Sequence, residues 1–192
     1  MNKKILIIGG IILVAAFLVT GSYNGIVSKD EKVETAWSNV ESQYQRRADL
    51  VPNLVEAVKG VSNFEQETLN QVVEARAAAI QPVVDINNVD EIADFAERQE
   101  GLSSALSRLL MISENYPELR ATESFRDLQV QLEGTENRIT VARMDYNEAV
   151  QEYNVSIRKF PGNLTALFFG FEKASQFEAS EGAEVVPEVN FE

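Results

Sequence analysis

From Phe125 to Phe160 one large residue returns at every seventh position: Phe125, Leu132, Ile139, Tyr146, Tyr153 and Phe160. A companion line holds Leu128, Thr135, Ala142, Ala149 and Ser156, which are mostly small. Two lines at this spacing lie along one face of a helix. Large side chains set against small ones let neighbouring helices interlock as in a coiled coil. The spacing predicts a helix over Thr122–Phe160, about 58 Å long at ~1.5 Å per residue. That exceeds the diameter of a compact domain, so the chain is expected to build an elongated bundle.

The rest of the chain agrees. Val33, Trp37, Val40, Tyr44, Ala48, Val51, Val55 and Val58 step by three or four, as one helix face requires. Gly60 weakens that helix, and Ser62 or Asn63 is placed to cap the next, whose apolar line runs through Leu69, Val72, Val73, Arg76 and Ile80. Pro82 and Asp85–Asn88 mark a loop. A third helix follows from Asp90 through Ile92, Phe95, Gln99, Leu102, Leu106 and Leu109, ending before Tyr116-Pro117. Strand signals are weak, and AEVVPEVNFE at the C-terminus reads as an acidic tail. The expected fold is all-α: a transmembrane helix followed by an antiparallel bundle of about four helices.

The transmembrane expectation comes from Ile5–Val19, an apolar run preceded by Lys3 and Lys4, with no further charge until Lys29. Extended to Tyr23 or Val27, it covers a hydrocarbon core of roughly 30 Å, and Tyr23 falls where an interfacial aromatic anchor belongs. The run is long for a signal peptide, and Val19-Thr20-Gly21 is a poor cleavage site. Lys3 and Lys4 favour a cytoplasmic N-terminus and hence a bundle outside the cytoplasm, although Lys29 and Lys32 nearly balance them.

Composition closes much of enzymology. There is no cysteine and no histidine, so thiol nucleophiles, Cys-ligated metals, Ser-His-Asp triads and Glu-x-x-His di-iron motifs are excluded. A formal net charge of -13 repels nucleic acid. Carboxylates are abundant but mostly occupy solvated helix positions. DINNVDE, at Asp85–Glu91, lacks the glycine of a calcium loop and reads as a turn and N-cap. Asn-x-Ser/Thr triplets at Asn154 and Asn163 read as chance matches. No catalytic residue, cofactor or metal is expected.

The candidate structural or interaction residues are Trp37, Tyr44, Arg46, Arg47, Pro52, Asn53, Tyr146 and Tyr153. In QYQRRADLVPNLV the adjacent Arg46 and Arg47 point about 100° apart, so at most one faces into the bundle. A buried guanidinium there needs an acid or a carbonyl on another helix, with Glu136 or Asp145 in reach. Asp49 is spaced to pair with Arg46. Pro52 removes the amide that would bond the Ala48 carbonyl and should bend the helix. An arginine or Asn53 is available to that carbonyl. The apolar run Leu164–Phe171 reads as a segment folded back onto the bundle, the alternative being contact with the bilayer or a partner.

YNGIV at Tyr23, AWSNVESQYQRRADLVPNLVEAVKG, YPELRATESFRDLQVQLEGTENRI, ARMDYNEAVQEYN and FPGNLTALFFGF follow one another in family order. Together they resemble the LemA family of bacterial membrane-associated proteins, with Asn63-Phe64 departing from its pattern. The resemblance implies an N-terminal transmembrane helix, an antiparallel helical bundle and a molecular function that is not established. It also implies a cytoplasmic bundle, opposite to the side that Lys3 and Lys4 favour. The expected organisation is an anchor over 1–28, a bundle over 29–177 and a flexible tail over 178–192. The expected role is a non-enzymatic scaffold or interaction module at the bacterial cell membrane, with the membrane and unidentified proteins as partners and homo-oligomers possible. An oligomerising sensor or envelope-remodelling subunit and a carboxylate-dependent hydrolase are the alternatives.

Overall fold

The computed structural model describes residues 3–61, 64–80 and 84–178. The caps expected at Ser62 and Asn63, the loop proline Pro82 and the tail from 179 onward lie outside them. Six helices follow: α1 (Lys3–Lys59), α2 (Gln66–Ala79), α3 (Val89–Ser113), α4 (Pro117–Ala121), α5 (Glu123–Arg158) and α6 (Gly162–Phe169). The apolar N-terminal run and the first bundle helix are one uninterrupted helix of 57 residues. Every apolar position expected on its bundle face, from Val33 to Val58, is buried.

α1 packs along α5 and α2 along α3, giving an up-down-up-down bundle. The pairing is antiparallel: Lys29 meets Glu152 at the end nearer the apolar run, and Arg47 meets Glu136 midway. The α5 seam is buried at Phe125, Leu132, Ile139, Tyr146 and Tyr153. Phe160 breaks from it, because α5 ends at Arg158 and leaves Phe160 exposed. On α2 the inward line is Leu69, Val72 and Ala79, while Val73 and Ile80 face out, correcting the expected line. α3 begins as DINN suggested, with the Asn88 side chain accepting from the Asp90 amide at 3.0 Å.

Buried apolar residues form two clusters. The proximal one, nearer the apolar run, gathers Ile26, Val33, Trp37, Tyr44, Ile92, Ile139, Tyr146, Tyr153 and Phe177. The distal one is aliphatic: Val51, Leu54, Val58, Leu69, Val72, Leu102, Leu106, Leu109, Leu119 and Leu132, with Phe125.

α6 folds back onto α1 and α5 as expected, but it buries less of itself than a core segment would. Only Gly162, Thr165 and Ala166 are buried, at the i, i+3, i+4 spacing of one narrow face. Leu164, Leu167, Phe168 and Phe169 are exposed. Gly162 is required at the corner, since a Cβ there would collide with the Ser156 carbonyl oxygen. Gly170, at φ 76°, ends the helix in the left-handed region.

Candidate functional site

Arg46 and Arg47 divide as the helix geometry demands. Arg46 is exposed, whereas Arg47 is only 2 % exposed at the level where the two apolar clusters meet. Its Nη1 donates to Glu136 Oε1 on α5 at 2.9 Å. Its Nη2 donates to Gln99 on α3, to the backbone oxygen at 2.9 Å and to Oε1 at 2.7 Å. Gln99 Nε2 in turn donates to the carbonyl of Ala79, the last residue of α2, at 2.9 Å. That carbonyl is one of the orphan acceptors at a helix C-terminus. One buried guanidinium therefore ties together four helices. The Arg47 head also lies 5.0 Å from the centre of the Tyr44 ring, a cation–π contact. Burial raises the Tyr44 hydroxyl above its ordinary pKa, chiefly through desolvation. Arg47 Nε and Gln43 Oε1, one helical turn apart on α1, are buried without a protein partner.

Pro52 completes this layer. α1 continues through it, and the Ala48 carbonyl it leaves without an amide accepts from Arg76 Nε of α2 at 2.8 Å. The rescuing group is an arginine, but from a different helix than the residues around Pro52. Asp49, expected to pair with Arg46, accepts instead from Gln45 Nε2 at 2.7 Å. Arg46, Asn53, Glu41 and Asp49 line an open cleft of ≈ 930 Å³ beside the layer, with Tyr44 and Gln99 in its wall.

Trp37, Tyr146 and Tyr153 belong to the proximal cluster. Trp37 stacks on Phe177 at 5.8 Å and meets Phe95 and Tyr146 at 5.2 and 5.3 Å. Phe177 belongs to an extended strap, residues 171–178, that runs back along α5. Tyr153 donates to the Glu172 carbonyl at 2.8 Å, and Tyr146 to the Ser175 carbonyl at 2.7 Å. The Asn154 amide donates to the Ala174 carbonyl and accepts from its N–H, at 2.9 and 3.1 Å. Asn147 repeats the pattern on Phe177, at 3.1 and 2.9 Å.

The match is metric. Seven residues of helix advance about 10.5 Å, and three residues of extended chain about 10 Å. Tyr-Asn repeated after seven helical residues thus meets backbone groups three residues apart, both for the tyrosines and for the asparagines. The strap also donates from Ser175 N to the Ile86 carbonyl at 2.9 Å, which joins it to the α2–α3 loop. Burial raises the Tyr153 hydroxyl to about 12, with the Asp30 and Glu172 charges adding to the effect. It raises Tyr146 further still.

Asn147 and Asn154 are the residues that sequence reasoning missed. The signal was the echo in YNEAVQEYN: a polar amide beside a buried seam needs partners. Asn154 is buried and bonded on both sides of its amide.

A family model described as the LemA family matches residues 36–191. Magnetosome protein MamQ 2 of Paramagnetospirillum magneticum is 26% identical over 194 residues, covering 90% of this chain and 71% of the relative. Magnetosome protein MamQ of Magnetospirillum gryphiswaldense is 24% identical, covering 87% and 69%. Protein LemA of Metamycoplasma hominis is 23% identical, covering 86% and 73%.

Proposed function

The chain belongs to the LemA family, and from that membership and the geometry above we propose that it is a membrane-tethered, non-enzymatic scaffold that holds a stiff helical bundle at the bacterial cell membrane for protein partners. The observation that carries this reading is α1. A single helix passes from an apolar stretch whose described side chains are largely exposed into a core where Val33, Val40, Val51, Leu54 and Val58 are essentially sealed. Such a helix is an anchor and a structural spine at once.

The acids are spread along outward helix faces, and among the described residues no three potential metal-ligating side chains converge. An oligomerising sensor or envelope-remodelling subunit would have to use a surface other than the α5 seam, because Phe125, Leu132, Tyr146 and Tyr153 are already buried within one chain.

The test is fractionation followed by crosslinking in intact cells. Retention of the full chain in membranes after carbonate washing, with discrete crosslinked partners through Arg46 or Asn53 positions, supports the scaffold. Release by carbonate removes the anchor from the reading. For the side, Lys3 and Lys4 favour a bundle outside the cytoplasm and the family description favours the inside. A compartment-specific reporter fused after Glu192 separates the two.

A further inference from the structure

The apolar surface left by α6 has a position that selects its occupant. Twenty helical residues span roughly 30 Å of hydrocarbon, so a span entered after Lys3 and Lys4 leaves the apolar layer near Ser22 to Asn24. α6 is fixed at that level. Thr165 Oγ1 donates to Ser22 Oγ at 3.1 Å, and Ile26 lies against the Gly162 corner. Tyr23 packs against Phe169 and Phe171 at 4.7 and 5.7 Å, an aromatic group at the depth where such rings favour the headgroup boundary.

The outward face of α6 is strongly apolar. Phe160 is 78% exposed, Leu167 84% and Phe168 83%. A patch of this kind on an otherwise acidic protein marks a site of contact. Through Phe160 it meets the exposed apolar face of α1 at Phe17 and Leu18. Between them lies a recess of ≈ 390 Å³, walled by Phe17, Leu18, Gly21, Gly25 and Phe160 and rimmed by Lys29 and Lys159. The charged residues Arg158, Lys159, Glu172 and Lys173 bracket the apolar segment on both sides in sequence, which limits how deep it can go.

We propose that α6 is an interfacial membrane helix: Phe160, Leu164, Leu167 and Phe168 enter the leaflet that α1 leaves, and lipid tails fill the recess between them. The narrow buried face explains why α6 needs Gly162, Thr165 and Ala166: small residues seat it against α1 and α5 and turn the large ones outward. Lipid is the occupant because the patch continues the surface of the span at the depth where the span ends. This rests on the reading of α1 as a membrane span.

The chain has no cysteine, so single cysteines report unambiguously. Full-length variants Phe168→Cys, Leu167→Cys, Leu18→Cys and Met144→Cys are labelled with an environment-sensitive fluorophore. They are reconstituted into phosphatidylcholine–phosphatidylglycerol vesicles with and without nitroxide-bearing acyl chains. The expected result is a blue shift and strong nitroxide quenching at 168 and 167, comparable with position 18, and neither at 144. Quenching at 18 without quenching at 167 and 168 overturns the interfacial helix and leaves the anchor standing. Loss of quenching at 18 as well overturns the anchor. Labels at 167 and 168 shielded from both nitroxide lipid and aqueous iodide overturn the proposal in favour of a second copy.

Discussion

The two halves of the bundle solve the same packing problem by different means. In the distal half, Leu and Val from α1, α2, α3, α4 and α5 fill the interior, with Val61, Phe64 and Tyr116 of the connecting loops packed against it. In the proximal half the interior contains Trp37, Tyr44, Tyr146 and Tyr153, whose polar tips need partners once buried. Helices there do not close the core. An extended strap does, contributing Ala174 and Phe177 as apolar fill and its backbone as hydrogen-bond acceptors. Between the halves sits the layer of Arg47, Gln99 and Glu136. Aliphatic packing tolerates exchange of one apolar residue for another. The proximal half depends on a few specific bonds, and its stability should be correspondingly brittle.

The largest test is Trp37→Ala, which should cost about 3–5 kcal/mol in chemical denaturation of the detergent-solubilised chain. By hydrogen exchange the amides of Tyr146 and Tyr153 should lose protection while those of Leu102 and Leu109 keep it. Equal loss in both halves would show one cooperative core and break the comparison. Next comes Glu136→Leu, which leaves the buried Arg47 without its acid. Complete burial of such a pair would make this roughly 3–5 kcal/mol. Because Glu136 is 42% exposed, the expected loss is nearer about 2–3 kcal/mol. Glu136→Gln should recover part of it by keeping an acceptor.

Asn154→Ala should cost about 1–3 kcal/mol, leaving the Ala174 backbone groups unsatisfied. Native-state exchange at Ala174 and Phe177 should accelerate while the distal amides stay unchanged. Asn147→Ala should do the same, and the double variant should lose less than the two losses added, since one detached strap serves both.

The effect that is smallest near neutrality grows at high pH. Tyr153 and Tyr146 have hydroxyl pKa values raised by burial, so the folded state favours the neutral phenols. Their contribution is complete below the unfolded value of about 10 and is lost as pH rises above it, at up to about 1.4 kcal/mol per pH unit for each tyrosine. Tyr153→Phe should flatten that fall at a cost near neutrality of about 1 kcal/mol.

How much of this was legible follows from where each interaction stores its information. The α1 face and the α5 seam are side-chain periodicities, and they appear in the sequence as spacing. The Arg47 pairing was also visible, because adjacent arginines on one helix let at most one face inward and a buried guanidinium demands an acid or a carbonyl. The identity of the residue serving the Ala48 carbonyl was not visible, since Arg76 arrives from α2 through tertiary packing. The strap was hidden for a different reason. Asn147 and Asn154 read backbone atoms, so residues 171–178 need no side-chain pattern to be bound. That α6 folds back was legible, but which of its sides is buried was not, because a nearly all-apolar run has little periodicity to tell its two sides apart. The small residues Gly162, Thr165 and Ala166 held that information.

The uninterrupted α1 has a mechanical consequence. No turn separates the apolar run from the bundle, so one helix, about 85 Å long at ~1.5 Å per residue, serves both. A span longer than the local hydrocarbon thickness tilts to fit it. With α1 a membrane span, as proposed above, the bundle leans with it, like a mast stepped directly into a moving deck. Changes in bilayer thickness at one end become sideways displacement of the far tip, amplified by the length of the lever.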